Sequence, residues 1–177
     1  MAARKWTYSI AASILAGAFL CSSVFAEGNQ FQKEVEVEAG AVKLAREVVK
    51  GEYKVITTKE LKDLIATKKD ILIIDTMPYQ DSYKKEHIPG AKQFLFPIQD
   101  MVTWDSKETD GKSQEDYQAL LGPDKEKQII VYCGFVKCTR SHNGAVWAKK
   151  LGYTNVYRQP GGIFAWKGEG FETEKVE

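Results

Sequence analysis

The sequence predicts an α/β domain in which strands alternate with helices. Ile71-Leu72-Ile73-Ile74-Asp75 is a continuous apolar run closed by an acid, and Gln128 to Tyr132 is a second buried run rich in β-branched residues. Runs of that kind suit strands covered on both faces, which calls for a parallel or mixed sheet between helices. Between and after them lie segments with apolar residues at helical spacing and with identifiable caps.

The first residues belong outside that domain. Arg4 and Lys5 precede the apolar stretch Ile10 to Leu20, and Val24-Phe25-Ala26 stands ahead of Glu27 as a small-x-Ala cleavage site. This pattern reads as a secretory signal peptide over residues 1–26. An uncleaved anchor is the rival, but the apolar run is short for a span of about 20 residues. Cys21 points to a lipoprotein, yet Leu20 stands where a small residue is wanted. With the leader removed the two basic residues go, and the net charge falls from +1 to −1. A near-neutral chain without a basic run argues against nucleic acid or an anionic membrane surface as partner. The expected location is periplasmic or secreted.

The remaining elements follow in order. Residues 27–39 are polar and read as poorly ordered. Val42, Leu44, Ala45, Val48 and Val49 have helical spacing, so Ala41 to Lys50 is a helix ended by Gly51; residues 27–52 form an N-terminal helical extension. That segment is read as either a dimerisation helix or a cap over the sheet. The domain proper is 53–177, enough for one core. Lys54 to Ile56 is a short strand. Thr57 and Glu60 form a capping box with an Ile56–Leu61 staple, starting a helix over 58–67. After the strand 71–75, Asp81 to His87 is a short helix, and His87-Ile88-Pro89-Gly90-Ala91 turns the chain into a strand near 92–94. Residues 97–113 are a surface excursion, Ser113 to Leu121 a helix stopped by Gly122-Pro123, and 128–132 the second buried strand. A helix over 141–151, a strand over 155–157, a Gly161-Gly162 turn and a helix over 163–167 complete the chain. Tyr132, Trp147, Tyr153 and Trp166 read as core.

The chemistry concentrates where the second buried run ends. Tyr132 is followed by Cys133, then by Gly134-Phe135-Val136-Lys137-Cys138-Thr139, then by Arg140-Ser141-His142. A cysteine at the end of a strand that turns directly into a helix faces the unpaired N–H groups and positive dipole end of that helix, which favour thiolate. Ser141 reads as the helix cap. Lys137 and Arg140 place two cations in the same loop. A buried structural cysteine is the plainer use of such a position, but the second cysteine and the basic pair favour a nucleophile.

Four strings in order resemble the rhodanese-like (sulfurtransferase) domain: Leu72 to Asp75, His87 to Ala91, Ile130 to Cys133 with its loop to Arg140-Ser141, and Leu151-Gly152-Tyr153 through Gly161-Gly162-Ile163 to Trp166. The resemblance spans roughly residues 53–170. It implies a compact α/β fold with a central parallel sheet flanked by helices, and Cys133 as the residue that carries sulfane sulfur as a persulfide. Lys137, Arg140, Gly134 and Ser141 become the expected anion-binding positions, with Asp75 and His142 orienting. The implied donor is polysulfide, thiosulfate or a persulfide, the acceptor a thiol or a protein, with no cofactor and no metal. Two departures stand out. Six residues separate Cys133 from Arg140, where the family commonly has four, and Met77 stands where an arginine often follows the strand-end acid.

Cys138 adds a possible resolving or second active thiol, with disulfide formation against a purely structural role left open. Two other classes compete. A cysteine-based phosphatase or arsenate reductase would use Cys133 and Arg140 around a tetrahedral oxyanion, but the loop carries no acid. A non-enzymatic module would use Cys133, Cys138 and His142, spaced C-x4-C-x3-H, with His87 as a fourth metal ligand, although zinc sites prefer closer cysteines.

Overall fold

The computed structural model describes residues 22–67 and 70–177. The basic and apolar parts of the expected leader lie outside these. The elements are α1 (Ser22–Gly51), β1 (Lys54–Val55), α2 (Thr58–Ala66), β2 (Ile71–Asp75), β3 (Lys92–Gln93), α3 (Gln114–Leu121), β4 (Gln128–Tyr132), α4 (Arg140–Lys150), β5 (Val156–Gln159) and α5 (Gly162–Gly168). Residues 39–177 form one compact unit.

The five strands make an all-parallel sheet in the order β1-β5-β4-β2-β3. The strand residues dictate why both faces are covered. Ile129 and Val131 of β4 point to one side, where α3 and α4 bring Tyr117, Leu121, Ala145 and Ala148. Ile130 and Tyr132 point to the other, where α2 and α5 bring Leu61, Ile163 and Trp166. The alternation of side chains along a strand therefore feeds two cores. As the middle strand of the sheet, β4 delivers its C-terminal end between β2 and β5, away from either edge.

The local signals act as expected at several joints. Thr57 Oγ1 accepts from the Glu60 N–H while the Glu60 carboxylate accepts from the Thr57 N–H, a closed capping box on α2. Ser113 and Asp116 make the same box on α3. Gly152 follows α4 with φ +89°, a conformation open to glycine.

Three expectations are corrected. Residues 27–39 are helical, because Glu, Gln, Lys and Ala are good helix formers and no proline interrupts the segment. The short helix after β2 is a single wide turn at Tyr79–Tyr83, not at 81–87. Pro78 starts it early, with the Tyr83 N–H reaching the Pro78 carbonyl at 3.1 Å, and by His87 the backbone is already extended and paired with Glu174. Finally, α4 begins at Arg140 with Thr139 in the cap position, so Ser141 sits inside the first turn and caps nothing.

Candidate active site

Cys133 follows the last residue of β4, and its side chain is fully buried. Its Sγ lies 3.2 Å from the Ser141 hydroxyl, 3.5 Å from the Cys138 carbonyl oxygen and 3.8 Å from the Phe135 carbonyl oxygen. Ser141, freed from capping, is thus the α4 residue that meets the sulfur. The Cys138 N–H bonds back to the Phe135 carbonyl at 3.0 Å, closing a turn that brings the second cysteine over the first. Both cysteines are free, and their side chains are neighbours.

The electrostatics of the two sulfurs differ. Burial, reinforced by the neighbouring Cys138, pushes the Cys133 thiol well up, against the hydroxyl and backbone N–H of Ser141. Cys138 is lowered to about 6, first by the Cys133 thiol donating to it, then by the N–H groups of Arg140 and Gly134 and the Arg140 charge, with burial opposing. The surroundings therefore favour the thiolate more at Cys138 than at Cys133, the position expected to carry it.

The expected cations are placed differently from their sequence-based roles. The Arg140 guanidinium donates to the Phe96 carbonyl. Lys137 is exposed, and it is its backbone carbonyl that is engaged, by Lys43 Nζ of α1 at 2.6 Å. Gly134 is buried beside Met77, and its carbonyl accepts from the Phe164 N–H of α5 at 3.0 Å. Asp75, at the end of β2, accepts from the Tyr132 hydroxyl at 2.7 Å and the Met77 N–H at 2.8 Å; burial raises its pKa to about 6 despite those bonds. His142 bonds through Nδ1 to the Tyr53 hydroxyl at 2.9 Å, and burial lowers its pKa. His87 bonds through Nδ1 to the Tyr83 carbonyl at 2.8 Å and stacks on the Tyr83 ring. The imidazoles of the metal alternative are thus committed elsewhere, and among the described residues no three His, Cys, Asp or Glu side chains gather as a metal site.

Sequence reasoning missed the residue that grips the loop. Arg158 of β5 is wholly buried and donates to the Cys138 carbonyl at 2.8 Å and the Val136 carbonyl at 3.1 Å. Its other terminal nitrogen meets Glu47 of α1 at 2.5 Å and the Tyr53 hydroxyl at 3.3 Å. Burial works against the Arg158 charge, but the bonds to Glu47 and Tyr53 outweigh it and its pKa is raised. Lys43, one turn before Glu47, also donates to Thr139 Oγ1 at 2.9 Å. The available signal was an arginine directly after the expected strand 155–157, which β5 extends to include, since a charge in a buried strand needs a partner.

The family model described as a rhodanese-like domain matches residues 57–169. No curated protein matches the chain in sequence. Among solved structures, a protein of Bacillus halodurans is similar at TM-score 0.55 and 23% identity, covering 76% of this chain and 86% of its own. The thiosulfate sulfurtransferase of Pseudomonas aeruginosa is similar at TM-score 0.57 and 20% identity, over 78% of this chain and 23% of that one. The polysulfide-sulfur transferase homodimer of Wolinella succinogenes is similar at TM-score 0.51 and 18% identity, over 76% of this chain and 88% of its own. At these identities the likeness is one of fold.

Proposed function

Because the chain belongs to the rhodanese-like domain family, we propose that it is a sulfurtransferase that takes sulfane sulfur onto Cys133 as a persulfide and passes it to a thiophilic acceptor. The observation that carries this reading is the position of Cys133 Sγ, at the end of the middle strand and 3.2 Å from the hydroxyl of a first-turn residue of the following helix. Attack on a sulfane sulfur needs the thiolate form of Cys133, and the donors of Ser141 are what that charge rests on.

The surroundings favour some donors over others. An oxyanion such as the sulfite leaving from thiosulfate wants cations aimed at it, but Arg140 is bonded to Phe96 and Lys137 faces outward. The exposed rim of the loop is instead aromatic: Phe135 and Phe164 lie with ring centroids 5.6 Å apart. That surface suits a polysulfide or an organic persulfide better than thiosulfate. The leader-like first 26 residues support an extracytoplasmic setting for the reaction. A phosphatase reading draws no such support, since Arg140 is not arranged around an oxyanion.

A donor panel of thiosulfate, inorganic polysulfide and glutathione persulfide, read as sulfur transferred to cyanide or to a thiol, tests the reading. Transfer is expected from the last two, falling to background in Cys133→Ser. Equal transfer by wild type and Cys133→Ser would refute it.

A further inference from the structure

The loop holds a second sulfur that simple transfer does not use. Resting on the carrier reading, we propose that Cys138 resolves the Cys133 persulfide, so that the protein reduces sulfane sulfur to sulfide and is left with a Cys133–Cys138 disulfide.

The geometry for this is built into the turn. The Cys138 N–H bonded to the Phe135 carbonyl folds the chain back within five residues. Cys133 Sγ then sits 3.5 Å from the Cys138 backbone oxygen, and the two cysteine side chains are neighbours. Arg158 holds the carbonyls of Val136 and Cys138, so the fold of the turn is not left to the loop alone. Cys138 is also the sulfur that the N–H groups of Gly134 and Arg140 support as a thiolate, the form that attacks.

The step balances without an outside oxidant. Cys138 thiolate attacks Sγ of Cys133, the bond from Sγ to the outer sulfur breaks, and that sulfur leaves with the bonding pair as HS⁻. The sulfane sulfur gains two electrons, and the two cysteines lose them as the Sγ–Sγ bond forms. A dithiol, or two monothiols, from outside returns the pair to thiols through a mixed disulfide. The net activity is sulfane-sulfur reduction at the expense of thiols. Attack on the outer sulfur would instead move the persulfide to Cys138 and release nothing.

Reduced, thiol-free protein is mixed anaerobically with stoichiometric inorganic polysulfide, freed of small molecules, and read by intact mass, while sulfide is followed at an electrode. Wild type is expected to end two hydrogens lighter with no retained sulfur. It should release about one sulfide per chain more than Cys138→Ser or Cys138→Ala, which are expected to keep one added sulfur. Wild type that keeps the added sulfur on either cysteine and releases no excess sulfide overturns the proposal. Absence of any added sulfur in folded Cys138→Ser and Cys138→Ala, with wild type also unchanged, would instead overturn the carrier reading beneath it.

Discussion

Removing the Glu47 carboxylate should unsettle the loop from a distance, and the cost can be worked from the ion pair. The Arg158 side chain is completely buried and that of Glu47 is 10% exposed, so the pair is in the interior regime. Breaking such a pair by deleting one partner costs about 3–5 kcal/mol, because the other charge stays buried. The Tyr53 hydroxyl and the two loop carbonyls still solvate Arg158, which places Glu47→Ala at the low end, about 3 kcal/mol. For a domain of this size that lowers the melting temperature by about 6–12 °C. Glu47→Gln keeps an oxygen acceptor and should lose less. Arg158→Met should lose more, since it leaves Glu47 only Lys43 at 3.5 Å and takes the guanidinium from the Val136 and Cys138 carbonyls, at about 1–3 kcal/mol for each group left unpaired. Denaturant and thermal unfolding of the three variants check the ranking, and sulfur loading of each reports the loop. A Glu47→Ala cost below about 1 kcal/mol, the range of an exposed pair, would refute the claim that α1 anchors the active loop through Arg158.

Three further outcomes follow from the same contacts. Alkylation of Cys138 by iodoacetamide should reach half its maximal rate near pH 6, and Cys133→Ser should move that midpoint upward because the Cys133 thiol is the largest cause of the lowered value; peptide mapping across a pH series reads it. Asp75 is raised to about 6 from its usual 3.8, so it binds a proton in the folded state that the unfolded chain has lost, and its contribution to stability falls as pH rises from about 4 to 6. Compared with Asp75→Asn, wild type should lose roughly 3 kcal/mol over that window, and parallel pH–stability curves for the two would contradict the burial argument. Gly162→Ala should cost at least about 2 kcal/mol by chemical denaturation and abolish sulfur loading. Gly162 has φ +62°, and a Cβ there would lie 2.2 Å from the Cys133 carbonyl oxygen; a near-wild-type Gly162→Ala would mean that α5 does not press on the strand end.

What could be read from the amino acids was whatever is encoded locally. The apolar runs 71–75 and 128–132 became β2 and β4 with the same boundaries, and the Thr57–Glu60 box opened α2, since burial pattern and caps act within a few residues. The strand-end position of Cys133 was legible for the same reason. The orientation of the loop was not. Its anchors, Glu47 and Arg158, are 111 residues apart, and nothing near Cys133 announces them. Ser141 was assigned a cap because Ser is a common cap residue; the loop instead hands over to α4 one residue before Arg140, at Thr139, whose hydroxyl is taken by Lys43. The charges of Lys137 and Arg140 were legible, but their directions depend on Phe96 and on the face of α1, which only packing decides.

The loop's polarity has a simple geometric origin that ties these anchors to the sulfurs. In a trans peptide the C=O of one residue and the N–H of the next point opposite ways. The Cys133 carbonyl is drawn to the Ile163 N–H of α5 at 2.9 Å, so the Gly134 N–H of the same peptide turns the other way, toward the Cys138 sulfur. The Thr139 carbonyl is committed to the Asn143 N–H inside α4 at 3.0 Å, so the Arg140 N–H turns back to that sulfur as well. Between them, Arg158 and Lys43 hold the carbonyls of Val136, Lys137 and Cys138. The carbonyls of Cys133, Val136, Lys137 and Thr139 are thereby occupied by α5, β5, α1 and α4, and the N–H groups of Gly134 and Arg140 are left to the Cys138 sulfur, while the Cys133 thiol lies against the Cys138 and Phe135 carbonyls. The loop exceeds the common spacing by two residues and holds a pair of sulfurs in that cradle, the arrangement that the proposed reduction of sulfane sulfur requires.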